Sequence, residues 1–130
     1  SEYSAVIPKF ITQILNGKQP IINGDGFHTR DFTYIQDVVQ ANINALKSNV
    51  DGFFNIAYGG QTSLNQLVKH ILDITNISIN VIHGLERPGD VKHSYADISK
   101  ARDKLQYVPI YKIERGLEAT INWYKNYYKN

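Results

Sequence analysis

Two stretches of this chain combine arginine, carboxylate and glycine in a way that could do chemistry. The first is Gly24-Asp25-Gly26-Phe27-His28-Thr29-Arg30-Asp31-Phe32-Thr33-Tyr34-Ile35. The second is Arg87-Pro88-Gly89-Asp90-Val91-Lys92-His93-Ser94. Both read as loops, where binding groups concentrate on a rigid scaffold. An arginine carries a planar fork of donors that matches phosphate oxygens two at a time, and it stays charged at any working pH. Two arginines from separate loops could clamp a diphosphate. A nearby aspartate would repel phosphate, but it can accept hydrogen bonds from the hydroxyls of a ribose or tie down an arginine. The alternative is that Arg30–Asp31 and Arg87–Asp90 are structural or solvated ion pairs, and residue types alone favour it, because surface pairs are common and slight in energy.

Other chemistries find no residues here. There is no Gly-x-Gly-x-x-Gly or Gly-x-x-Gly-x-x-Gly dinucleotide loop, no P-loop, and no Tyr-x-x-x-Lys pair among nine tyrosines. The four histidines, His28, His70, His83 and His93, lack metal-ligand spacing, so no metal site is expected. His70 reads as a surface residue on a helix. Cysteine is absent, which excludes disulfides and thiolate chemistry.

The elements that must position the two loops alternate between helix and short strand, which defines a mixed α/β class. Residues 4–16 read as an amphipathic helix stopped by Asn16-Gly17. Pro20-Ile21-Ile22 reads as a strand and Asn23–Gly26 as a turn. Strands are expected over 31–35, 53–57 and 79–82. A helix is expected over 36–48, with Val38, Val39, Asn42, Ala45 and Leu46 along one side. Ser63 and Gln66 form a capping box ahead of the stripe Leu64, Leu67, Val68, Ile71, Leu72 and Thr75. Asp97 is expected to cap a helix to Leu105, and a last helix spans about 113–128.

The chain of 130 residues is 42% hydrophobic and 20% charged, enough for one modest core. Its net charge of +2, without a basic run, argues neither for nor against nucleic acid, and no nucleic-acid partner is expected. No stretch is apolar for the ~18 residues of a membrane span, and no signal peptide opens the chain, so a cytoplasmic protein is expected. Methionine is absent, and the chain begins inside a helical apolar pattern (Val6, Ile7, Phe10, Ile14, Leu15). It therefore reads as a single domain, residues 1–130, cut from a longer protein.

Val6-Ile7-Pro8-Lys9-Phe10, Asn23–Gly26 with Arg30-Asp31-Phe32-Thr33-Tyr34-Ile35-Gln36-Asp37-Val38, Phe54-Asn55-Ile56-Ala57 and Arg87-Pro88-Gly89-Asp90-Val91 occur in that order. Together they resemble the C-terminal half of extended short-chain dehydrogenases/reductases acting on nucleotide sugars. The likeness is nearest to bacterial UDP-N-acetylglucosamine and UDP-glucose 4-epimerases. It implies the substrate-binding part of such an enzyme, without the Rossmann core that holds NAD and the catalytic residues. This fragment alone would then be inactive and bind no NAD. The resemblance implies that Arg30 and Arg87 bind the diphosphate of a UDP-sugar and that Asp90 holds the ribose. It implies that Ala5, Val6 and Asn23 border the uracil. Relatives often stack an aromatic residue near Ile21, so stacking would be weaker here. Ser94 stands where a bulky tyrosine restricts relatives to non-acetylated sugars, and a serine leaves room for an N-acetyl group. Residues 36–60 would pack on the missing Rossmann domain, leaving Val38, Val39, Phe53 and Ile56 as an apolar patch or a surface for self-association. The longer protein would be a homodimer. The alternatives are a nucleotide-sugar dehydratase or decarboxylase of the same family, or a non-catalytic binding domain.

Overall fold

A computed structural model describes residues 6–89 and 92–127. In chain order the elements are α1 (Val6–Leu15), β1 (Ile21–Asn23), β2 (Thr29–Arg30), α2 (Ile35–Lys47), β3 (Thr62–Ser63), α3 (Leu64–Thr75), β4 (Ile82–Gly84), α4 (Ser99–Leu105) and α5 (Ile113–Tyr127). They fall into two compact units, each assembled from discontinuous stretches of chain.

The first unit holds α1, β1, α3, β4 and the part of α5 from Leu117. Phe10, Ile11 and Ile14 recur at helical spacing and are buried as α1 packs on α3. From α3 the buried set is Leu64, Leu67, Val68 and Ile71, and Leu72 and Thr75, also expected in the stripe, are half-buried. Ser63 accepts from the Gln66 amide at 3.1 Å, and the Gln66 side chain accepts from the Ser63 amide at 2.8 Å. That reciprocal box fixes where α3 starts. Helix α1 ends in a Schellman motif. The Gly17 amide donates to Ile14 and that of Lys18 to Gln13, with Gly17 at φ +72°, where a side chain would strain the backbone. His70 is half-buried rather than a bare surface residue.

Among the described residues, β1 and β4 of this unit form a parallel ladder: Ile21 pairs with Ile82, Ile22 with His83, Asn23 with Gly84. The strand expected over 79–82 thus lies at Ile82–Gly84. Its position is set by pairing with β1.

The second unit holds residues 29–62 and 93–116. Its core is Ala41, Ala57, Ile98, Ala101, Leu105 and Tyr107, with Phe54, Ile56 and Ala96 packed against it. Alanines at 41 and 101 let α2 and α4 pack closely. Strand β2 pairs with β3. The strand expected over 31–35 is displaced to Thr29–Arg30, because Asp31 turns its carboxylate to the amides of Tyr58 (3.2 Å) and Gly59 (2.9 Å) and the chain enters α2 at Ile35. Residues 53–57 form no strand. Side chains take two of their carbonyls instead: Lys100 donates to the Phe53 carbonyl (2.8 Å) and Tyr107 to that of Ala57 (2.7 Å). Asp97 accepts from the Ser99 amide at 2.9 Å, so the cap sits one residue nearer the helix than expected. The hydroxyl and amide of Ser99 hold the Asp97 carboxyl below its ordinary range, with a smaller contribution from Arg102.

Helix α2 buries only Asp37 and Ala41. Ile35, Val39, Ile43 and Leu46, spaced along one side, are exposed, and Val50 and Phe53 continue the apolar surface. Of the four residues expected to form a patch, Val39 and Phe53 are exposed, whereas Val38 is half-buried and Ile56 joins the core.

Burial, followed by the charges of Asp37 and Asp31, pushes the Tyr107 phenol up to about 12 from 10.0. A raised pKa in the folded state favours the neutral phenol. This contribution to stability is complete below pH ~10 and is lost as pH rises towards 12. Replacing Tyr107 by Phe leaves the Ala57 carbonyl without its donor and should cost ~1–3 kcal/mol at pH 7. Denaturant unfolding between pH 8 and 11 should show a shallower alkaline decline in Tyr107→Phe than in the parent chain.

Candidate functional site

The first unit carries Val6, Asn23 and Arg87, and the second carries Arg30 and Ser94. Ala5 and Asp90 lie outside the described residues. Val6 opens α1 and is half-buried.

In the first unit, the β1–β4 ladder brings Asn23 level with Gly84, three positions before Arg87 in sequence. The pairing continues one step into the turn, where the Gly24 amide donates to the Gly84 carbonyl (3.0 Å). The His83 ring hydrogen-bonds the Gly24 carbonyl at 2.9 Å. The turn is then fixed to the start of α3. Asp25 accepts from the Phe27 amide (2.9 Å), Asn65 donates to the Asp25 carbonyl (2.9 Å), and the amides of Asn65 and Leu64 reach the carbonyls of Gly26 and His28. These contacts satisfy amide groups that a helix N-terminus leaves without partners of its own. His28 is buried and pairs with Glu86 at 3.0 Å, next in sequence to Arg87. Arg87 is exposed, as is Ile21.

In the second unit, Arg30 is buried and its Nη1 donates to the Thr29 carbonyl at 2.6 Å. The same carbonyl accepts from the Ser94 amide at 3.1 Å, and the Thr29 hydroxyl meets His93 Nδ1 at 2.8 Å. Thr29 therefore gathers Arg30 and Ser94 into one place. A small cleft of about 220 Å³ opens elsewhere in this unit, lined by Asp31, Tyr58, Lys112 and Glu114 among others. Among the described residues, no cluster of three or more histidine or acidic side chains could hold a metal, and no helix is long and apolar enough to cross a membrane.

Asp37 has a function that pattern reading does not reveal. It is 2% exposed, and its carboxylate accepts from the amides of Ile110 (2.9 Å) and Tyr111 (3.1 Å). With Asp31 on the Tyr58 and Gly59 amides, both aspartates of Arg30–Asp37 are occupied with backbone. The local signal was present as an acidic residue in the first turn of a helix, which the electrostatics of a helix start would explain equally well. Its true partners are 73 and 74 residues away.

The chain belongs to the family described as GDP-mannose 4,6 dehydratase, which matches residues 3–120. A putative UDP-glucose 4-epimerase of Methanocaldococcus jannaschii is 37% identical over 95% of this chain and 40% of its own length. Among solved structures, a UDP-N-acetylglucosamine 4-epimerase of Methanobrevibacter ruminantium in complex with UDP-N-acetylmuramic acid is 44% identical, with a TM-score of 0.90. The match covers 98% of this chain and 41% of that one. A UDP-glucuronic acid 4-epimerase of Bacillus cereus in complex with UDP-glucuronic acid and NAD is 34% identical with a TM-score of 0.87, covering 95% and 40%. Curated relatives include UDP-sugar epimerases and UDP-sugar decarboxylases. The chain spans about 40% of the length of these proteins and corresponds to the C-terminal portion of extended short-chain dehydrogenase/reductase epimerases.

Gly26 supports the Asn23–His28 turn with φ +80°, and a Cβ there would collide with the Asn65 side chain. Gly26→Ala should destabilise the chain by at least ~1–2 kcal/mol from backbone strain alone. Gly17→Ala, where the space is open, should lose only that strain. Paired denaturant titrations of the two variants measure the difference.

Proposed function

We propose that this chain is the substrate-binding part of an NAD-dependent UDP-sugar 4-epimerase. The observation that carries the reading is the match, along nearly the whole chain, to an epimerase solved with a UDP-sugar bound. In this reading Arg30 and Arg87 grip the diphosphate, Asp90 holds the ribose, and Ala5, Val6 and Asn23 border the base. The short side chain of Ser94 admits an N-acetyl group at C2 of the hexose. The protein acts in the cytoplasm, as a homodimer of the longer chain.

The binding roles follow from the chemistry of the side chains. An arginine fork can meet two phosphate oxygens at once, and one nitrogen of the Arg30 fork, Nη1, is held by the Thr29 carbonyl. Rigid donors lower the ordering cost of binding. Binding energy gathered at the diphosphate lies away from the reacting carbon, so it can retain the nucleotide while the sugar changes orientation.

NAD does not fit the residues of this chain, which has no glycine-rich dinucleotide loop and no Tyr-x-x-x-Lys pair. The cofactor and the hydride chemistry it supplies are assigned to a Rossmann domain elsewhere in the longer protein. The exposed stripe Ile35, Val39, Ile43 and Leu46, with Phe53, is the surface on which that domain packs. Support comes from the 60% of relatives' length that this chain does not cover, and from an exposed helix face too apolar for solvent. A decarboxylase is the second reading, favoured by a UDP-N-acetylglucosaminuronate decarboxylase that is 32% identical over 95% of the chain. Incubating the longer protein with UDP-N-acetylglucosamine and with its uronate separates the two, by inversion at C4 or release of carbon dioxide.

Calorimetric titration with UDP should show binding by this chain, and Arg87→Ala should weaken it by about tenfold or more, the worth of one charge-assisted contact. Lys69→Ala, which removes only the exposed 3.4 Å pair with Asp73, should not. Equal effects of the two substitutions would refute the clamp. Sedimentation of the isolated chain should show self-association that Leu46→Ser with Phe53→Ser reduces, and a monomer at all concentrations would refute the docking face.

A further inference from the structure

We propose that the His28–Glu86 pair is a positioning device that holds the Arg87 arm for diphosphate binding. The proposal rests on the UDP-binding reading above. The β1–β4 ladder stops at Gly84, and Leu85 beyond it is 91% exposed, so no apolar anchor follows the ladder there. The next residue, Glu86, leans against the turn. Its Cβ and Cγ lie where a side chain on Gly24 would be within 3.4 Å. Its Oε1 meets His28 Nε2 at 3.0 Å.

His28 is the firm end of this contact. Its side chain is 10% exposed against 58% for Glu86. Its carbonyl accepts from the Leu64 amide at 3.2 Å, at the start of α3, whose stripe is part of the unit's core. Support therefore runs from the helix to His28, to Glu86, and then along one peptide bond to Arg87.

A wholly exposed pair would add little. This one has a buried partner, and its effect falls on the freedom of the following residue. An arm already held in place loses less entropy when Arg87 meets a phosphate. Glu86 and His28 touch no ligand in this scheme; they act through Arg87.

The test is calorimetric titration of UDP into the chain and its variants, with melting temperatures measured alongside. Glu86→Ala should weaken UDP binding by ~3–10-fold, the range expected from ordering one rotamer-rich side chain. His28→Ala should do the same. The double variant should be no weaker than either single one, because the two residues act as one contact. His28→Gln, which keeps a donor, should recover most of the affinity. If burial makes His28→Ala unstable, Glu86→Ala carries the test, since its side chain is largely exposed. Wild-type affinity in Glu86→Ala, or additive losses in the double variant, would overturn the proposal. Arg87→Ala separates the layers. If it weakens UDP and Glu86→Ala does not, the positioning role alone fails. If neither changes the affinity, the clamp itself fails.

Discussion

The second unit depends on one buried carboxylate. Asp37 lies in the first turn of α2, nearly without solvent, and receives the amides of Ile110 and Tyr111. A charge in that position is costly unless donors surround it. Two backbone amides supply them, and in return the chain after Pro109 is held against α2. Around that anchor Tyr34 meets Tyr111 at 4.7 Å, the Arg115 guanidinium lies 4.4 Å over Tyr111, and Gly116 leaves room for the Tyr34 ring. Asp31 performs the parallel task for the Tyr58–Gly59 turn. The acidic residues of the most distinctive segment in the chain therefore bond to backbone and build the platform.

Each unit presents its arginine by a different device. Arg30 is buried, with its guanidinium bonded to the carbonyl just before it, and that carbonyl also fixes Ser94. Arg87 stands beyond the end of a ladder, at the edge of a turn clasped to α3 by Asn65 and Leu64. The first arrangement restricts one side chain directly. The second restricts the backbone that bears the other. Backbone groups of turns supply most of the bonds in both, which is why the loops can be short and rich in glycine.

How much of this could be read beforehand follows the range of the interactions. The start of helix α3 and most of its buried face were legible, since Ser63, Gln66 and the apolar stripe act within a few turns of one another. The stop at Asn16-Gly17 was legible for the same reason. The strands were legible only in part: that expected at Pro20-Ile21-Ile22 lies within one residue of its place, at Ile21–Asn23, and the others do not. Phe53–Ala57 has strand-forming side chains but meets Lys100 and Tyr107 instead of a ladder, and the strand near residue 80 lies where β1 requires it. β-structure depends on the neighbour as much as on the segment. The two arginine loops could be picked out only as candidates from residue types and order, and the structure adds the bonds around their described residues. The pairing of His28 with Glu86 and the bonds of Asp37 had no local signature, because their partners are distant in the chain.

The parallel ladder of β1 and β4 has a kinetic meaning. It is three residues long and joins segments far apart; the His83–Gly24 contact at its end spans 59 positions. Closing so large a loop for so few bonds is entropically unfavourable until α3 and α1 have packed. The helices, with local caps and a shared apolar stripe, belong to an early nucleus, and the arginine-bearing arm closes last. Elements that close last also open first in the native state. A diphosphate bound there would complete the fold as well as occupy a site, so amide hydrogen exchange would register the ligand most strongly at residues 21–24 and 82–87, well before any change in the cores.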